Sequence, residues 1–265
     1  MPKTVIVSGA SGGIGFAIAR FLQDSGYRVY GLSRSYPKEK YGFTHLLCDI
    51  TDESQVRSSL KQIVEASDSI DALINCAGMG ISGAVENTDP AQIRQMFDVN
   101  LFGTFRLTQE LIPHLRKHPG SKILQIGSVA GCLPIPFQTY YSATKSAINA
   151  YTQGLRMELR PFGIQVGAIL PGDTKTGFTA HRQKTDLGTE GPYGDRIRRS
   201  VERMERDEQQ GKDPQTVART VAKLLRKKTV PVFTAVGFSY RLFLFLNRIL
   251  PSRFVTWILY QMYGK

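Results

Sequence analysis

Three residues of this chain have the type and spacing to move a proton: Ser128, Tyr141 and Lys145. Tyr141 and Lys145 stand four apart in TYYSATKSAINAYTQGL, a run of good helix formers with no Pro or Gly before Gly154. Residues four apart share a helix face, so this phenol and ammonium can reach the same small molecule. A free phenol titrates at about 10, and a neighbouring cation favours the phenolate and draws that value toward neutrality. A hydroxyl such as Ser128 can polarise a carbonyl while Tyr141 protonates it. This is general acid/base chemistry, and it needs a hydride donor opposite. Tyr140, whose fourth neighbour is Thr144, is the weaker candidate. Chance also produces Tyr–Lys pairs as stem-over-ring packing, so the rest of the chain must decide.

Short apolar runs alternate with helical patterns. Strands are expected at 4–8, 28–32, 45–48, 72–75, 122–126, 165–170 and 230–234, and helices at 13–25, 53–66, 90–115, 139–160 and 214–226. Asp89-Pro90 and Asp213-Pro214 each read as an N-cap followed by Pro at the first helical position. Such alternation predicts an α/β fold, a doubly wound Rossmann-type parallel sheet of about seven strands with helices on both faces. One domain is expected over 1–238, with a polar, weakly patterned and mobile insertion near 176–211 and an apolar, basic extension over 239–265.

Directly after the first strand come Ser8-Gly9-Ala10-Ser11-Gly12-Gly13-Ile14-Gly15, opening into a helix. Glycines permit a tight turn and close backbone approach to a pyrophosphate, and the helix N-terminus offers free N–H groups. The spacing Gly, three residues, Gly, one residue, Gly resembles the short-chain dehydrogenase/reductase family, with Ser8 in place of that family's Thr. Ser128, Tyr141 and Lys145 fall at its catalytic spacing. Asn75-Cys76-Ala77-Gly78 is similar to its Asn-Asn-Ala-Gly turn, and Asn100, in FDVNLFGTF, matches the Asn of its catalytic tetrad. Pro171, Gly172, Thr174 and Thr176 fall in the segment that holds the nicotinamide end. The likeness is close over 3–176 and looser over 214–237.

The resemblance implies an NAD(P)-dependent oxidoreductase interconverting a carbonyl and an alcohol. Tyr141 would act as proton donor and acceptor, and Lys145 would lower its pKa and hold the nicotinamide ribose. Ser128 would orient the substrate oxygen, and Asn100 would help hold a water that relays protons to Lys145. The cofactor would lie on Gly9, Ser11, Gly13, Ile14 and Gly15, with Asp49 and Ile50 at the adenine and Asn75, Ala77 and Gly78 beneath. The second strand ends in Leu32-Ser33-Arg34 with no acid. An acid there would repel a 2′-phosphate, whereas Arg34 can pair with one and Ser33 can donate to it. NADP(H) is therefore expected ahead of NAD(H).

Composition narrows the classes. The 265 residues carry three cysteines and a net charge of +12. The odd count and the absence of CxxC suit neither disulfides nor zinc, which points to a reducing, cytoplasmic setting. His114 and His118 stand four apart but lack the Glu of a zinc-protease helix, so no metal is expected. No motif of a nucleic-acid reader accompanies the charge, so no nucleic acid is expected either. The N-terminus reads as a buried strand rather than a leader.

Substrate is expected near 79–83, 129–137 and 172 onward, where Leu133, Ile135, Phe137 and Phe178 suggest an apolar pocket for a hydrophobic ketone or aldehyde. PFG…PG…KTGF resembles the branch that acts on steroids, retinoids and other lipid-like carbonyls. A homodimer or homotetramer is expected from the family. Residues 239–265 hold Arg241, Arg248, Arg253 and Lys265, no acid, and a stripe of Phe254, Trp257, Ile258 and Gln261. This tail could cover the pocket, join subunits or lie on an anionic membrane surface. Two other classes remain open at this point: a nicotinamide-binding sensor without turnover, and a membrane-surface binding protein.

Overall fold

The computed structural model describes residues 2–185 and 191–265. The main sheet forms from β1 (Thr4–Ser8), β2 (Arg28–Ser33), β3 (Thr44–Leu47), β4 (Ala72–Asn75), β6 (Lys122–Ile126), β7 (Gln165–Leu170) and β9 (Phe233–Ala235). Their spatial order is β3-β2-β1-β4-β6-β7-β9, with every neighbour parallel. β5 (Ile81–Ser82) and β8 (Gln183–Lys184) pair separately above it. The chain runs outward from β1 in both directions. The crevice at that reversal, beyond the carboxyl ends of the strands, is where open α/β sheets place ligands.

The strands read as continuous apolar runs because both faces are covered. Side chains alternate across a strand. Val5, Val7, Ile74 and Leu124 therefore pack under α1 (Gly13–Asp24) and α8 (Gln215–Arg226), with Phe16, Leu22, Val217 and Val221. Ile6, Leu32, Leu73 and Ile123 face the other way, onto α2 (Glu53–Glu65), α4 (Gly103–Leu115) and α5 (Thr139–Leu159), meeting Val56, Leu60, Leu107, Leu111 and Leu155.

Three departures from the sequence pattern matter. The helix expected over 90–115 is α3 (Pro90–Phe97) and α4 joined by a π-helical turn at Asp98–Phe102. The last strand begins at Phe233 rather than at 230, since Pro231 has no N–H to give a ladder. The segment 176–211 carries α6 (Phe178–His181), β8 and α7 (Arg196–Gln209), and its residues 186–190 lie outside the described ones. The inner stripe of α7 is Ile197, Ser200, Val201 and Met204, a narrow band hidden among charges. Beyond β9 the tail forms α9 (Phe238–Ile249) and α10 (Ser252–Tyr263), divided at Pro251.

Candidate active site

The carboxyl ends of β1, β4, β6 and β7 open on one cleft of about 1130 Å³. At its floor Ser8 Oγ accepts from the N–H groups of Cys76 (3.0 Å) and Ala77 (3.2 Å), tying the end of β1 to the end of β4. Gly9 has φ +71°, and a Cβ there would lie 2.8 Å from Ala77 Cα. A Cβ on Gly15 would lie 2.2 Å from Gly9 O. No side chain caps the start of α1, and its first turn holds no acid. The result is a cradle of backbone N–H groups at the positive end of a helix, which suits a pyrophosphate. The site thus fits a dinucleotide on the residues present.

Gly9, Ser11, Gly13, Ile14 and Gly15 line the cleft, as do Arg34, Asp49, Ile50, Ala77, Gly78, Pro171, Gly172, Thr174 and Thr176. Arg34 is exposed at the rim, and Tyr36 and Lys38 join it there. Ser33 also lines the cleft, but its hydroxyl donates to Ser35 O (3.1 Å) and bonds His45 Nε2 (2.7 Å). The hydroxyl expected to meet a phosphate is therefore already engaged, and burial holds His45 below its ordinary pKa. Asp49 Oδ1 accepts from the backbone and hydroxyl of Thr51, making it in part a turn cap.

Asn75 is the exception among the residues expected to hold the cofactor. It is buried, and its amide turns away to donate to Thr108 Oγ1 at 3.0 Å. It braces the site from behind, while Cys76, Ala77 and Gly78 provide the surface.

Asn100 sits in the π-helical turn, and such turns recur at functional sites. Its Oδ1 accepts from Met79 N (2.8 Å), and its Nδ2 donates to Met79 O (2.9 Å) and Thr144 Oγ1 (3.1 Å). Both amide protons are committed, so the side chain clamps Met79 rather than donating to a water. A Cβ on Gly78 would lie 3.3 Å from Asn100 Oδ1 and 3.7 Å from Lys145 Nζ, which keeps this corner tight.

Ser128 follows β6 and caps a short 3-10 turn, Val129–Gly131, its Oγ accepting from Ala130 N at 3.1 Å. Tyr141, on the first turn of α5, lies close enough to Ser128 for that hydroxyl to draw its phenol down. Lys145, one turn on, is buried and donates from Nζ to Ile126 O at 3.0 Å. Its Nζ lies 5.7 Å from the centroid of the Tyr141 ring. Ser128, Tyr141 and Lys145 thus meet, as their spacing predicts.

Their electrostatics differ from the expectation. Burial pushes the Tyr141 phenol up to about 12, outweighing the Ser128 hydroxyl and the Arg182 cation that pull it down. Burial also lowers Lys145 to about 8. In this dry corner desolvation dominates, and the lysine does not bring the phenol toward neutrality.

Sequence patterns gave no sign of Arg182. Its guanidinium is fully buried against Glu208 of α7, and Glu208 also accepts from Thr179 Oγ1 at 2.6 Å. Both charges act on Tyr141. A lone Arg or Glu in a charged stretch reads as solvated, and only the docking of α7 onto α6 hides this pair. The Phe178 ring lies tilted beside that of Tyr141, centroids 5.7 Å apart, and Leu133 and Ile135 line the cleft. Phe137 does not: it packs with Ala84, Ile197, Val201 and Met204, which corrects its assignment to the pocket.

The tail closes the far side. Tyr240 lies over Gly172, donates to Asp173 Oδ2 at 2.5 Å and accepts from Asp173 N at 3.0 Å. Asn247 Nδ2 donates to Cys132 O at 3.2 Å. Phe243, Leu246, Leu250, Val255 and Ile258 face the cleft, so covering the pocket is one role the tail fills.

The sequence model described as short chain dehydrogenase matches residues 3–187. A 3-ketodihydrosphingosine reductase of Bacteroides thetaiotaomicron is 36% identical over 238 residues, covering 89% of this chain and 88% of that protein. A probable short-chain type dehydrogenase/reductase of Helicobacter pylori, VdlC, is 32% identical, covering 93% of each chain. The crystal structure of a short-chain dehydrogenase from Streptomyces avermitilis superposes with a TM-score of 0.82 at 27% identity, over 98% of this chain and 96% of that one.

Proposed function

The chain belongs to the short-chain dehydrogenase/reductase family, oxidoreductases acting on CH–OH groups, and on that premise we propose that it interconverts a long-chain, lipid-like ketone or aldehyde and its alcohol with NADP(H). The observation that carries this reading is the meeting of Ser128, Tyr141 and Lys145 on the cleft where the glycine cradle joins an apolar wall.

A dihydronicotinamide held in the cradle would supply the hydride. Tyr141, still protonated at neutral pH with its value near 12, has the proton to give to the substrate oxygen. Ser128 orients that oxygen. Lys145, largely cationic at pH 7 with its value about 8, offsets the phenolate left behind and would hold ribose hydroxyls. Asn100 acts one step removed, by fixing Met79 beside the substrate. Arg34, with Lys38 close by and no acid ending β2, supports the 2′-phosphate. The apolar wall, and the name of the Bacteroides relative, support a lipid ketone.

The test is a panel of long-chain ketones and aldehydes followed by NADPH absorbance, with Tyr141→Phe alongside. Turnover is expected with NADPH ahead of NADH, and the variant is expected to lose about a thousandfold in kcat while NADPH fluorescence still reports binding. A variant turning over at the wild-type rate would falsify the role of Tyr141. Cofactor binding with no turnover on any substrate would favour the sensor reading.

A further inference from the structure

The two tail helices face two ways. Toward the cleft α9 sends Tyr240, Phe243 and Leu246, followed by Leu250 just past its end. Away from it lies a second stripe, Phe238, Leu242, Phe245 and Ile249, spaced four, three and four along the helix, with Phe254 and Trp257 continuing it on α10. Phe238 is 80% exposed, Ile249 60% and Trp257 56%. Neither helix contains a single buried residue. Soluble surfaces rarely gather this many large apolar side chains in one place.

The charge around this face has one sign. Arg241, Arg248, Arg253 and Lys265 are exposed, and 239–265 holds no acid. Arg196 and Arg203 of α7 lie over the rings of Tyr260 and Tyr263. The α7 carboxylates nearby are engaged: Glu205 by Lys184, Asp207 by the Tyr263 hydroxyl and Glu208 by Arg182. A second copy meeting this face symmetrically would set the four cations against themselves. An anionic bilayer would pair them and take up the aromatic stripe. Each helix has 12 residues, and among the described residues none is long and apolar enough to cross a membrane. The geometry suits lying in the interface.

We propose that α9 and α10 form a peripheral anchor that docks on an anionic bilayer with its outer stripe, while its inner stripe roofs the catalytic cleft so that lipid substrate enters from the membrane side. The docking stands on the outer face alone; the route of entry rests on the lipid-carbonyl reading above.

Trp257 is the chain's single tryptophan, so the full-length protein carries its own probe. Vesicles of phosphatidylglycerol with phosphatidylcholine are expected to float the protein and shift Trp257 emission to the blue, with both effects fading as salt rises. Pure phosphatidylcholine should do much less. Arg241→Gln with Arg248→Gln and Arg253→Gln should weaken binding on the order of a hundredfold. Phe245→Ser with Ile249→Ser should abolish flotation while NADPH binding is retained, which shows the fold intact. None of these readouts uses turnover, so Tyr141→Phe should dock like the wild type, and docking is judged even if no substrate is found. Flotation and emission unmoved by anionic vesicles would overturn the proposal. So would a blue shift that grows with protein concentration in the absence of lipid, since a second copy would then own the face.

Discussion

Helices α5 and α9 draw on the same kinds of residue, aromatic rings and cations, and put them to opposite use. α5 buries eight of its 21 residues, Lys145 among them; α9 buries none of its 12. On α5 the cation has one backbone acceptor and a ring for company, and its charge is disfavoured. On α9 Arg241 and Arg248 are exposed and their charge is open to water or to an anionic surface. Residue chemistry alone therefore does not say whether a Tyr–Lys or Phe–Arg pair belongs to a reaction or a surface. What separates the two helices is the number of layers packed against them.

That contrast can be broken first at the seam under α5. A Cβ on Gly131 would lie 2.7 Å from the backbone carbon of Lys145. Gly131→Val should push α5 off the turn that carries Ser128, costing about 3 kcal/mol in chemical denaturation, and activity should fall with it. Unchanged stability would mean the helix is not held from this side.

A smaller effect sharpens the electrostatic half. Lys145 titrates at about 8 in the fold and about 10.4 unfolded. Below the folded value both states are protonated. Between the two values only the unfolded chain keeps the proton, so this group makes stability rise with pH there. Lys145→Met should remove up to about 1.4 kcal/mol of that rise per pH unit, read as the difference between wild-type and variant unfolding curves across the window. Tyr141, raised to about 12, acts in the opposite sense above its unfolded value of about 10, so the lower half of the window is the cleaner one. Parallel curves would mean Lys145 is solvated.

The smallest effect belongs to α9. Phe245, 59% exposed, replaced by Ser should alter stability by no more than about 0.5 kcal/mol in the absence of lipid. A loss of several times that would place the outer stripe against protein.

Much of the fold was legible in the sequence because parallel strands buried on both faces leave unbroken apolar runs: 4–8, 72–75, 122–126 and 165–170 lie where those runs place them. The Tyr141–Lys145 pair was legible for a related reason. Tyr141 and Lys145 are neighbours on one helix, and the backbone delivers them together without tertiary help. The π-helical turn at Asp98–Phe102 was not legible, since one altered hydrogen-bond register leaves the apolar period nearly intact. The buried side of α7 was not legible, because its stripe is four residues among a dense run of charges that reads as a solvated helix face.

The order of residues along the chain determined by itself the alternation of strands and helices, the uncapped glycine turn after β1 and the pairing of Tyr141 with Lys145, all of them consequences of contacts a few residues apart. Tertiary structure decided what depends on distant segments meeting. The two amide protons of Asn100 went to Met79 and Thr144, and burial of the Tyr141 phenol prevailed over the cation expected to lower it. Arg182 and Glu208 became a hidden pair, and the tail was left with one face on the cleft and one in the open. Burial and dielectric are properties of the assembled layers, and no spacing within the chain encodes them.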